Sequence, residues 1–198
     1  MSIVYPITKD YVESFCVYDT VFTADECEKI IEYTKFKGLR DSYVSTTPDN
    51  QTFEPDHSVR ISKVRFLLPE DPELEWLFAR ILEVTMDANN KFFGFNLWGF
   101  VEGIQFTEYE APTGKYDWHI DKSYGNIIRK LSMSVQLTDA STYTGGDLEL
   151  FCDANPQKSK RDQGSITFFP SYTLHRVTPV TEGTRHSLVA WVTGDQYQ

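Results

Sequence analysis

"LSMSVQLT", residues 131–138, sets Leu131, Met133, Val135 and Leu137 in strict alternation with Ser132, Ser134, Gln136 and Thr138. In an extended chain alternate side chains point to opposite faces, so the stretch predicts a strand with one apolar, buried face. The pattern continues toward the C-terminus. "GDLELF", "GSITFFP", "LHRVTPV" and "RHSLVAWV" are short strand-like runs, each bounded by Gly, Pro, Asn or Asp.

Upstream, the period is helical. In "FTADECEKIIEYTKFKG" Thr23 precedes Glu26 by three residues, the spacing at which the two side chains cap each other's free backbone N–H groups. Cys27, Ile30, Ile31 and Thr34 then share a face and Gly38 is a natural stop, so a helix is predicted over about 24–36. In "DPELEWLFARILEVTMDANNKFFG" Asp71 can cap, Pro72 suits the first helical position, and Leu74, Leu77, Phe78, Ile81, Leu82 and Thr85 form the apolar stripe of a second helix. Helices first and many short strands after predict an α+β domain with a two-sheet core, a sandwich or jelly roll. Residues 41–58, polar and with two prolines, read as a surface loop or a moving lid.

At 198 residues the chain suits a single domain spanning 1–198, and 40% hydrophobic residues suffice for a packed core. The net charge of −10 argues against nucleic acid as a partner, because phosphate contacts need a basic surface. Cys16, Cys27 and Cys152 are odd in number and lack CxxC spacing, which fits reduced thiols in a cytoplasmic setting. "MSIVYPITKDYV" lacks the charged and apolar regions of a secretion signal, and no apolar run is long enough to span a membrane, so no membrane partner is expected.

The chemistry centres on "YDWHIDKSYG", residues 116–125. In a strand His119 and Asp121 would point the same way and offer an imidazole and a carboxylate to one metal ion. His175, in another predicted strand, can supply a third ligand. Two histidines and one carboxylate with the remaining positions open suit a non-haem Fe(II) oxygenase, with zinc as the competing ion. Arg185 and Ser187 follow His175 by ten and twelve residues and again share a strand face, where a guanidinium fork and a hydroxyl can hold one carboxylate. HxD alone is a weak signal; its conjunction with a distal His and RxS is far more specific. His186 alternates away from Arg185, His57 falls in the polar loop, and Gly145 and Gly146 read as a turn.

The blocks "SVRISKVRFL", "IQFTEYEAPTGKYDWHID", "RKLSMSVQLTDASTYTGGDLEL" and "GSITFFPSYTLHRVTPVTEGTRHSLVAWV", over about 60–193, resemble the 2-oxoglutarate- and Fe(II)-dependent oxygenases of the prolyl-4-hydroxylase-like superfamily. Within them Y-x(6)-Y-x-x-H-x-D, the GGDL turn and H-x-V-x-P-V-x-x-G-x-R-x-S are most similar to bacterial or phage hydroxylases of PKHD type. The resemblance implies a double-stranded β-helix, iron held by His119, Asp121 and His175, and 2-oxoglutarate bound by Arg185, Ser187 and Tyr109. It implies Fe(II), 2-oxoglutarate and O2, with ascorbate as a candidate reductant. It places Arg60 at the active-site mouth and Tyr116 and Trp118 beside the metal, all three as candidate substrate contacts.

The activity implied is hydroxylation of a C–H bond, of a prolyl or other residue in a peptide or protein, with release of succinate and CO2. An amino-acid or small-metabolite hydroxylase with the same metal site is the alternative, ahead of a nucleic-acid demethylase or a cupin-like binding domain. The setting implied is the cytoplasm of a bacterial or phage-infected host cell. Oligomeric state is not specified by the sequence.

Overall fold

The computed structural model describes residues 12–45, 53–124 and 127–196. The first helix forms where the spacing predicts it, over Ala24–Phe36. Its reciprocal cap is present: the Thr23 hydroxyl accepts from the Glu26 N–H at 3.2 Å, and the Glu26 carboxylate accepts from the Thr23 N–H at 2.9 Å. The chain leaves the helix through Gly38 at φ +84°.

Asp71 caps a short 3₁₀ turn, Pro72–Leu74, which leads into the second helix, Glu75–Ala88, and then a π-helical turn, Asn89–Phe93, closed by Gly94 at φ +65°. Leu74, Leu77, Ile81 and Thr85 are buried as predicted, whereas Leu82 is 46% exposed. Leu82 sits 100° round the helix from Ile81, and the stripe Leu74–Leu77–Ile81–Thr85–Ala88 already fills the contact face.

Two antiparallel sheets make up most of the remainder. The larger runs in the spatial order Cys16–Tyr18, Ile166–Pro170, Ile127–Gln136, Thr184–Gly194, Ile104–Glu110, Lys63–Leu67, Arg40–Asp41. The smaller runs Gln157–Lys158, Leu148–Leu150, His175–Val177, Lys115–His119, Arg60–Ile61. One face of the large sheet carries Ile104, Phe106, Leu131, Met133, Val135, Phe168 and Leu188, packed with Ile30, Leu77 and Ile81 from the helices into the main core. Met133 lies between Phe168 and Ala190 in register, so neighbouring strands place apolar side chains side by side.

The opposite face corrects the expectation of a single buried face. Ser132, Thr107, Ser187 and Gln136 are all at most 5% exposed. They are polar yet buried because this face is turned toward the cavity between the sheets, so the alternation at 131–138 separates core from site and not core from solvent. Within the predicted loop 41–58, Val44–Ser45 and Phe53–Glu54 pair as a short antiparallel ribbon, and the part of the lid reading that falls on 46–52 lies outside the described residues.

Candidate metal centre

A cavity of about 700 Å³ opens between the sheets, and His119, Asp121 and His175 lie in its wall. His119 ends the Lys115–His119 strand and stands in register with His175 on the neighbouring strand, so the two imidazoles meet across a backbone pair with ring centroids 4.1 Å apart. Asp121 falls just past the strand end instead of within it. Its backbone N–H donates to the Ser171 carbonyl at 2.8 Å, which fixes the chain there, and its Oδ2 accepts from the Ser132 hydroxyl at 3.0 Å. One ligand atom from each of the three residues lies within 4.8 Å of the others.

Each histidine is oriented by its own backbone. The His119 Nδ1–H donates to the Asp117 carbonyl at 2.7 Å and the His175 Nδ1–H to the Thr173 carbonyl at 2.9 Å. A carbonyl only accepts, so both Nδ1 atoms carry the proton and both Nε2 lone pairs are free. Those Nε2 atoms stand 3.8 and 3.5 Å from the Asp121 carboxylate, a spacing that admits one ion among the three groups. Burial, and then the His175 ring, push the His119 imidazole down to about 3, so it is neutral near pH 7 as a metal ligand must be. Burial opposes the charge on Asp121, but His175, His119 and Arg129 outweigh it and hold the carboxyl well below its usual range. The donor set fits a divalent ion with open positions. Nitrogen and oxygen ligands alone admit iron as well as zinc.

Deeper in the same cavity Arg185 is 2% exposed and faces Tyr109, its register partner on the Ile104–Glu110 strand. The Arg185 Nε donates to Gln136 Oε1 at 3.1 Å, and Nη1 is 3.5 Å from the Ser187 hydroxyl. Among the described residues no carboxylate pairs with Arg185, which leaves its fork for an anionic ligand. Gly146 makes the space: at φ +65° it lies against the arginine stem, and a Cβ there would be 3.0 Å from the Arg185 Cδ.

The structure brings Tyr109, Ser187, Arg60 and Tyr116 to this cavity and takes Trp118 away from it. Strict alternation would keep Tyr116 and Trp118 on one face. The pairing shifts by one residue, however: three steps from Tyr116 to His119 oppose two steps from Val177 to His175. This bulge puts Tyr116 with His119, stacked at 3.5 Å between centroids, and sends Trp118 to the outer face against Phe151 and Arg176. Arg60 is buried, with its guanidinium 4.5 Å over the Tyr116 ring. His186 points to the other side of the sheet, where it contacts Glu108 and Thr138, and His57 is exposed in a turn.

Sequence reasoning missed the supports. Ser132 and Gln136, which hold Asp121 and Arg185, were legible only as the polar half of an alternation, and Ser171 falls in the turn after Ile166–Pro170. It also missed a buried pair in the cavity wall, in which the Arg129 Nε donates to Glu102 at 2.7 Å while the guanidinium stacks on Trp191 at 3.8 Å.

Residues 104–193 match the family model described as the 2OG-Fe(II) oxygenase superfamily. That family implies Fe(II), 2-oxoglutarate and O2. Among relatives, the chain is 42% identical over 80 residues to a PKHD-type hydroxylase of Synechococcus sp. (strain CC9311), covering 40% of this chain and 36% of that protein. It is 28% identical over 176 residues to a PKHD-type hydroxylase of Prochlorococcus marinus (strain NATL1A), covering 88% of this chain and 77% of the relative. The matches to the first relatives thus span well under two thirds of those proteins. A prolyl hydroxylase of Trichoplax adhaerens, solved with a hypoxia inducible factor peptide fragment, shares the fold with a TM-score of 0.74 at 15% identity, over 91% of this chain and 84% of that one. The resemblance to oxygenases of the prolyl-4-hydroxylase-like type therefore holds in both sequence and fold.

Proposed function

We propose that this protein is an Fe(II)- and 2-oxoglutarate-dependent hydroxylase acting on a C–H bond of a prolyl or other residue in a peptide or protein. The observation that carries the reading is the placement of His119, Asp121 and His175 in one cavity with the unpaired guanidinium of Arg185. His119, Asp121 and His175 would hold the iron, and Arg185 with Ser187 and Tyr109 would hold the far carboxylate of 2-oxoglutarate. When bound, Fe(II), 2-oxoglutarate and O2 supply the oxidising power that turns C–H into C–OH while the cosubstrate leaves as succinate and CO2.

The chain's own residues orient and exclude. The backbone carbonyls of Asp117 and Thr173 keep both Nε2 atoms turned inward, and Ser132 fixes the Asp121 carboxylate, so the three ligands are set before the ion arrives. Gln136 restrains the Arg185 Nε, which leaves the end of the fork to grip one carboxylate. The Tyr116 ring covers one side of His119 and limits water there.

Two finer readings go with this one. We take the facing sheets as a double-stranded β-helix within one domain over 1–198, and the protein as cytoplasmic; no helix among the described residues is long and apolar enough to cross a membrane. A peptide substrate is supported by the Trichoplax complex. The direct test is succinate formation from 2-oxoglutarate with Fe(II) and O2. The proposal requires O2-dependent succinate that disappears in Arg185→Ala; a fully iron-loaded protein that forms none contradicts it.

A further inference from the structure

We infer that the substrate presents a carboxylate close to the oxidised carbon and that Arg60 binds it. The inference rests on the proposed hydroxylase reading and adds the chemical class of its substrate.

The charge distribution of the cavity carries the argument. Among the described residues its wall holds four guanidinium groups, Arg40, Arg60, Arg129 and Arg185, against two carboxylates, Glu102 and Asp121. This excess of positive charge is set into a protein whose net charge is −10. Arg129 is neutralised by Glu102. The remaining three arginines face the single carboxylate of Asp121, leaving an excess of two positive charges. A divalent ion adds two positive charges and the dianion 2-oxoglutarate removes two, so loading the site leaves that excess in place. Arg185 is accounted for by the cosubstrate, which leaves Arg60, with Arg40 toward the rim.

Arg60 is a built group and not a stray surface arginine. It is 7% exposed. Its Nε donates to the Ser62 hydroxyl at 2.9 Å, and Ser62 is held in turn by Ser42 at 3.0 Å. The guanidinium lies over the Tyr116 ring at 4.5 Å, and Tyr116 is stacked on His119, so the cation sits one aromatic ring away from a proposed metal ligand. Its position is fixed, yet among the described residues no carboxylate pairs with it and its terminal nitrogens make no hydrogen bond. A buried cation without a counter-charge is costly, and the cost is removed by a ligand that brings the charge. A planar fork with two free nitrogens suits a carboxylate in a bidentate grip. That carboxylate can be the acidic side chain of a residue flanking the target in a peptide, or the α-carboxylate of a free amino acid or chain end.

The test is calorimetric binding to protein saturated with Mn(II) and 2-oxoglutarate, so that the Arg185 site is already filled. Matched probes differ only in charge: acetyl-Pro-Glu-amide against acetyl-Pro-Gln-amide, and acetyl-proline against its primary amide. The carboxylate member of at least one pair should bind about tenfold or more tightly. Preference in the first pair points to a flanking acidic residue, and in the second to an α-carboxylate. Arg60→Gln should abolish the preference and Arg60→Lys should restore part of it, while both keep the absorption band formed by Fe(II) with 2-oxoglutarate without O2. No preference in either pair, or a preference that survives Arg60→Gln, overturns the inference. Loss of the 2-oxoglutarate band in the unsubstituted protein would instead overturn the hydroxylase reading beneath it.

Discussion

The two faces of the large sheet are equally buried and chemically opposite. On one, Phe106, Leu131, Met133 and Leu188 meet the helices in a dry core. On the other, Thr107, Ser132, Gln136, Arg185 and Ser187 are just as inaccessible, but they line or support the cavity. The strands that build them are the same, and a single residue step moves from one face to the other. Burial therefore does two jobs here: on the apolar face it stabilises the fold, and on the polar face it holds charged and hydrogen-bonding groups ready for a ligand.

The largest expected effect lies on the cavity side. Asp121→Ala or His175→Ala should reduce turnover by more than the ~10–100-fold typical of a group that only supports a ligand, while the melting temperature of the metal-free protein changes little. An equally large fall in melting temperature would mean that the cavity side is also a stability element, and the contrast would break.

The converse substitution is Phe106→Ala, a fully buried ring on the helix-covered face. It should cost about 3–5 kcal/mol in urea denaturation. Residual folded protein should still bind Fe(II).

Gln136→Leu sharpens the comparison, since it alters the polar face without touching a metal ligand. Freed from Gln136, Arg185 should hold 2-oxoglutarate less well, raising its KM about tenfold with metal affinity unchanged. Gly146→Ala, which crowds the same arginine, should act in the same direction. A loss of metal affinity in either variant would show that the two subsites are not separable.

One buried carboxylate interrupts the apolar face. Glu108 accepts from His186 at 3.1 Å, and this contact holds its carboxyl down to about 2 although burial opposes it; Lys35 and Lys63 add attraction. Because the folded-state value lies below the ordinary one of 4.5, the stabilisation is fully present above that pH and is lost as pH falls toward 2. Glu108→Gln should therefore flatten the acid limb of a plot of melting temperature against pH. An unchanged limb would assign acid sensitivity to other carboxylates.

Much of this was legible in the residues. Periodicity located both helices, and the Thr23–Glu26 cap appears as its spacing requires. The conjunction of HxD, a distal His and RxS pointed to side chains that the fold does bring into one cavity. What alternation could not reveal was which polar face is solvent and which is cavity, because Ser132 and Gln136 have the same pattern in either case. Nor could it reveal the bulge between Tyr116 and His119, which depends on the neighbouring strand's register and keeps Tyr116 at the site while turning Trp118 away from it. The Arg129–Glu102 pair joins residues 27 apart and has no local signature.

The most direct test of the central claim, that the cavity between the sheets is a preorganised metal and cosubstrate site, is an anaerobic absorbance titration of the purified protein with Fe(II) and 2-oxoglutarate. A metal-to-ligand charge-transfer band should form at one equivalent of each, vanish in Asp121→Ala, and require far more 2-oxoglutarate in Arg185→Ala. Tight Fe(II) binding with no such band, or a band indifferent to Arg185, would contradict the account.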